Sequence, residues 1–149
     1  MKNRKRATSF SLVMPLLFGA SISVADIAIV VNPKVNLIHV NAKQVSKVYL
    51  GKSNRIDGVF VDPIDQHEGE IIRDKFYSSV INKTGSQLNS YWSKLIFTGK
   101  GMPPDRAAND DEVLDIVSDE PSRIGYIDVE SVDDRVKVIL VIESLAPLL

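Results

Sequence analysis

Apolar residues recur along this chain with a period that switches between strand-like and helix-like. Ile27-Ala28-Ile29-Val30-Val31 is β-branched and almost continuously apolar, bounded by Asp26 and Asn32 and stopped by Pro33. That pattern predicts a strand buried on both faces, as in a parallel sheet. After a loop around Val35 to His39 the period lengthens, with Val45, Val48 and Tyr49 falling on one face of a helix. Asn41, with Gln44 three residues on, is placed to cap that helix, and Gly51 to end it.

The next stretch organises the rest. Val59-Phe60-Val61-Asp62-Pro63 predicts a short strand, Ile64-Asp65-Gln66-His67-Glu68-Gly69 a polar loop, and the residues from about Glu70 to Ile81 an amphipathic helix. Ile72, Phe76 and Val80 form its core stripe. In an α/β protein the crevice beyond the carboxyl end of a strand is where ligands bind. The N–H groups of the following helix suit an anion there, yet Glu70 places a carboxylate at that point.

Gly85 then breaks the chain and Ser86 is positioned to cap a helix through Leu88, Tyr91, Trp92, Leu95 and Ile96. The adjacent Tyr91 and Trp92 should divide between core and surface. Phe97 to Pro104 is too rich in Gly and Pro for regular structure. Asp110, Asp111 and Glu112 open a further helix, where acidic residues complement the dipole, and Pro121 stops it. Residues 123–127 and 136–142 read as the last two strands. The order β-α-β-α-α-α-β-β predicts an α/β sandwich with a mixed, mostly parallel sheet flanked by helices.

The N-terminus carries a different message. Lys2, Arg4, Lys5 and Arg6 precede an apolar run from Phe10 to Ile22, and Ser23-Val24-Ala25 offers small residues for cleavage. Residues 1–25 are expected to be a cleavable signal peptide, leaving one domain over 26–149 with no membrane insertion. Four of the 18 basic residues lie in that segment, so 14 remain against 19 acidic ones, a formal charge of −5. Such a charge argues against nucleic acid as a partner. With no cysteine, lipid acylation, disulfides and thiolate metal sites are excluded.

Asp62, Asp65, His67, Glu68 and Glu70 lie within nine positions and offer oxygen and imidazole donors, but without the alternation of a calcium loop. A solvated acidic loop, with Glu70 partnering the helix dipole, is the simpler reading. His67 beside Asp65 has no Ser or Cys nucleophile signature with it, so neither catalysis nor a cofactor is expected. Lys100 and Arg106 flank a glycine loop and can supply positive charge. Arg73 is free to turn toward the crevice or to pair with Asp74 or Glu70.

Lys47-Val48-Tyr49-Leu50-Gly51-Lys52, the strand–loop–glycine–helix ending at Phe76, Gly99-Lys100-Gly101 and Ile124-Gly125-Tyr126-Ile127 occur in an order and spacing that resemble the periplasmic phosphate-binding proteins of ABC transporters. The resemblance covers nearly all of residues 26–142 and is closer still to small single-lobe relatives. It implies a single periplasmic-binding-protein-like lobe. The implied function is non-catalytic, periplasmic binding of phosphate or another small anion, with a membrane transporter or sensor as partner. It also implies an anion loop of Gln66, His67, Gly69, Glu70, Ile71, Ile72 and Arg73, with Gly99, Lys100 and Gly101. Aligned on Gly69 and Phe76, Gln66 stands where that family has Arg, Glu70 where it has Ser, Ile71 where it has Gly and Ile72 where it has Thr. The alternative is an interaction or sensor-accessory module that has kept the lobe and lost the ligand.

Overall fold

The computed structural model describes residues 26–143, so the predicted signal peptide lies outside the described residues. A five-stranded sheet runs through the centre in the order β5-β4-β6-β1-β7. Its members are β1 (Ile27–Val31), β4 (Asp62–Gln66), β5 (Asp105–Ala107), β6 (Arg123–Asp128) and β7 (Lys137–Ile142). β4 is parallel to β5 and β6, whereas β1 is antiparallel to β6 and β7, so four strands run one way and β1 runs against them. All five β1 residues are fully buried, as expected. The inference of parallel neighbours fails, because two-sided burial reports the covering layers and not the strand direction.

Alternate residues of β1 serve two cores. Ile27, Ile29 and Val31 face α1 (Ala42–Tyr49), α2 (Ile71–Phe76), the π-helical turn Tyr77–Ile81 and α3 (Gly85–Phe97). Ala28 and Val30 face α4 (Asp110–Asp119). α4 rests against β6 at Gly125, where an added Cβ would stand 2.5 Å from Val113 Cγ1 and 3.2 Å from Ile64 Cγ2.

Helix ends follow local chemistry. Asn41 and Gln44 form a reciprocal capping box at α1. Gly51 (φ +66°) and Lys52 close α1, their N–H groups donating to Val48 and Lys47 at 3.0 and 2.8 Å. The cap of α3 is Thr84 rather than Ser86, with Gln87 completing the box and Gly85 as the first helical residue. The helix predicted from Glu70 to Ile81 begins at Ile71 and turns π-helical at Tyr77; Glu70 is its N-cap and makes no side-chain cap bond.

The organising strand is displaced from its predicted place. β2 (Arg55–Ile56) and β3 (Val59–Phe60) form a separate hairpin turning at Asp57 and Gly58, both with positive φ. The sheet strand is Asp62–Gln66, so half of the predicted loop is strand. Pro63 is tolerated because β5 pairs only from Ile64 onward. β5 itself begins directly after the Phe97–Pro104 stretch predicted to be irregular, in residues for which no strand was predicted.

Candidate functional site

β4 ends in two buried polar residues that alternate sides of the sheet. Asp65 faces α2 and is 2% exposed. Its Oδ1 accepts from the Tyr126 hydroxyl at 2.5 Å and the Gln66 N–H at 2.8 Å, and its Oδ2 from the Tyr77 hydroxyl at 3.0 Å and Arg73 Nε at 3.3 Å. Two ring contacts hold this cluster: Phe76 stacks on Tyr126 at 3.9 Å, and the Arg73 guanidinium lies 4.8 Å from the Tyr77 ring centroid. Burial opposes the charge on Arg73, but the attraction of Asp65, Tyr77 and Tyr126 together outweighs it and the guanidinium pKa is raised. Burial first, and then Asp65, push the Tyr77 and Tyr126 phenols well above the ordinary range. A carboxylate fully bonded inside the core is a structural group, closed to a ligand.

Gln66 turns to the other face and is completely buried. Its Nε2 donates to Asp110 Oδ1 at 2.7 Å and to the Tyr126 carbonyl at 3.0 Å, while its Oε1 finds no partner among the described residues. Beyond Pro63 the β4–β6 ladder is replaced by side chains: Gln66 bridges to Tyr126, and the Tyr49 hydroxyl lies 3.1 Å from the carbonyl oxygens of both Ile64 and Ile124.

The residues after β4 line a cleft of about 620 Å³ formed by Gly69, Glu70, Ile71, Ile72, Lys75, Asn109, Asp110 and Asp128. It occupies the predicted place, beyond the carboxyl ends of β4 and β6. Its walls bring three carboxylates, Glu70, Asp110 and Asp128, against one lysine. A further anion about 4 Å from one of them would be repelled by about 1 kcal/mol in water and several-fold more at lower dielectric. His67 is exposed and its N–H extends the ladder to Ala107 at 3.0 Å. Gly69 supplies the turn (φ +97°), Ile71 is 73% exposed and Ile72 is buried.

The remaining predicted contacts are placed elsewhere. Gly99-Lys100-Gly101 follows α3 and leads to the entry end of β5, opposite the end where β4 meets the cleft. Gly99 (φ +66°) and Lys100 form a second helix stop, with N–H bonds to Ile96 and Leu95 at 3.1 and 2.8 Å. Arg73 pairs with Asp65, not with the predicted Asp74 or Glu70. The acidic cluster read from the sequence is dispersed: Asp62 pairs with Arg123 and Glu68 with Arg106, each at 3.0 Å. Among the described residues no group of three or more His, Asp or Glu is arranged to hold a metal ion. Trp92 enters the core, whereas Tyr91 is half-buried with its hydroxyl on the Leu50 carbonyl.

Sequence reasoning missed the Asp65–Tyr77–Tyr126 cluster. The available signal was Arg73 and Tyr77 one helical turn apart, a spacing that aims both side chains at one neighbour.

The architecture is the periplasmic-binding-protein-like fold, and solved structures of phosphate-binding proteins share it. A phosphate ABC transporter substrate-binding protein with bound phosphate from Clostridium perfringens matches 78% of this chain at 17% identity and TM-score 0.61. An ABC-type phosphate transport receptor from Vibrio cholerae matches 78% at 18% identity and TM-score 0.62. PstS from Borrelia burgdorferi matches 77% at 14% identity and TM-score 0.56. The match spans 45%, 46% and 47% of these proteins, less than half of each. No family model and no curated protein matches the chain.

Proposed function

We propose that this chain is a non-catalytic, extracytoplasmic interaction module built on one lobe of the phosphate-receptor fold, and that its cleft beyond the carboxyl ends of β4 and β6 does not hold phosphate. One observation carries the reading: Arg73, the arginine of the expected anion loop, is neutralised inside the core by Asp65, while Glu70, Asp110 and Asp128 line the cleft against the single lysine Lys75. Gln66, at the position of the family's arginine, is sealed in and bonded to Asp110. The resemblance and the structural matches support the receptor ancestry, and the basic, apolar N-terminus supports export. Among the described residues no helix is long and apolar enough to cross a membrane.

A transporter or sensor protein is the proposed partner. Exposed apolar side chains support a docking role: Ile71 on the cleft is 73% exposed, Phe97 and Met102 at the end of α3 are 92% and 79% exposed. Calorimetric titration with phosphate and sulfate tests the reading, using the wild type beside Glu70→Ser. The proposal expects no micromolar binding by either protein, since two carboxylates remain in the variant's cleft and Gln66 stays buried. Micromolar phosphate binding by the wild type would restore the receptor function.

A further inference from the structure

The glycine stops of two helices meet at one place. A Cβ at Gly51 would stand 3.4 Å from Trp92 Cη2 and one at Gly101 3.9 Å from Trp92 Cζ3, so the ends of α1 and α3 converge on the chain's single tryptophan. Beside the indole, Val48, Phe60, Met102, Pro103 and Pro104 line a cleft of about 450 Å³. It lies at the entry end of β4 and β5, opposite the end that carries Ile71. Phe97 is 92% exposed here, Met102 79%, Ile96 53% and Phe60 47%. Four of the nine large apolar side chains exposed among the described residues therefore gather at one end of the molecule.

The same end gathers lysine. Lys47 and Lys94 lie in the last turns of α1 and α3, and Lys52 and Lys100 follow Gly51 and Gly99. All four are exposed, and none is in an ion pair among the described residues. The carboxylates nearby, Asp62, Asp105 and Glu120, are all held by Arg123. With Arg123 counted, five positive charges stand against three negative ones, in a chain whose formal charge over residues 26–149 is −5.

We propose that this end seats the protein peripherally on an anionic phospholipid surface. Ile96, Phe97 and Met102 enter the boundary between headgroups and acyl chains, and the four lysines meet lipid phosphates. Lysine stems lie along the apolar side chains and hold their charges at headgroup level. The lysines select lipid as the occupant: lysine is depleted at protein–protein interfaces, whereas each one near an anionic bilayer adds to binding. The assignment does not depend on whether the cleft beyond β4 and β6 holds an anion. It leaves Ile71, at the opposite end, open to a protein partner.

Sedimentation with vesicles of phosphatidylglycerol mixed into phosphatidylcholine, beside vesicles of phosphatidylcholine alone, tests the seat, with Trp92 emission as a second readout. At low salt the protein should partition onto the anionic vesicles with a shift in Trp92 emission, and should leave them at about 0.5 M salt. Phosphatidylcholine alone should hold little. Lys100→Ala should weaken partitioning about fivefold. Phe97→Ser should weaken it at least about tenfold, and both variants should fold because both residues are exposed. Lys83→Ala, beyond the start of the 13-residue α3, should change nothing. No partition onto anionic vesicles, undiminished partition of Phe97→Ser, or an equal loss in Lys83→Ala would overturn the proposal. So would binding to native membranes but not to vesicles of their extracted lipid, which would make the occupant of this end a protein.

Discussion

Arg73 Nε lies 3.3 Å from Asp65 Oδ2, with the two residues 4% and 2% exposed. The pair ties the first turn of α2 to the last residues of β4, so the segment that would frame an anion site is anchored by its own counter-charge.

Removing one partner should therefore be severe. Asp65→Ala leaves the guanidinium without its carboxylate and two buried hydroxyls without an acceptor, and should cost about 3–5 kcal/mol in urea unfolding. The double variant Asp65→Leu/Arg73→Met should recover part of that loss, because no charge is then left buried alone.

Alkaline pH should unfold the protein through its tyrosines. Burial raises the phenol pKa values of Tyr49, Tyr77 and Tyr126, with Asp65 adding to each. The folded chain keeps these protons where the unfolded chain, with phenols near pH 10, releases them. Their contribution to stability is complete below about pH 10 and is lost as the pH rises through the folded values. Urea midpoints should be unaffected by these groups from about pH 8 to 9.5 and fall beyond 10, with a shallower fall in Tyr77→Phe.

Gly125→Ala should destabilise by about 1–3 kcal/mol, since the new methyl meets Val113 Cγ1 at 2.5 Å and Val117 Cγ2 at 3.3 Å. Val113→Ala combined with it should cost less than the two single changes together, which thermal unfolding of the four proteins would read as coupling.

Gly99 and Lys100 should behave as a helix stop. Gly99→Ala places a side chain at φ +66° and should lower stability by about 1 kcal/mol. Lys100→Ala should change stability by less than about 0.5 kcal/mol in thermal unfolding, because the residue is exposed.

Features written in local chemistry were legible in the sequence. Asn41 with Gln44, Gly51 and the Asp110–Glu112 run mark helix ends by hydrogen bonding and dipole alone, and the buried face of α1 follows its spacing. Features decided by tertiary contact were not. Asp65 and Gln66 look like loop residues because they are polar, and only Tyr126, Tyr77 and Asp110 make their burial possible. β5 has two exposed residues out of three, so its pairing left no apolar pattern to find. Gly99-Lys100-Gly101 and the Gly69 loop look alike as glycine-rich polar turns, and no spacing in sequence tells that they close opposite ends of the sheet. At the cleft the substitutions at Gln66 and Glu70 were visible, but the reinforcing carboxylates of Asp110 and Asp128 arrive from elements far along the chain.

The most direct test of the account is a phosphate titration of the wild-type protein followed through the backbone amides of Gly69, Glu70, Ile71 and Ile72. An acidic cleft, with the arginine of the expected anion loop held by Asp65, predicts no saturable shift at these four amides up to about 10 mM, a binding free energy weaker than about −3 kcal/mol. A saturable shift at the same amides in the micromolar range would show that the backbone alone grips the anion, and would contradict the account.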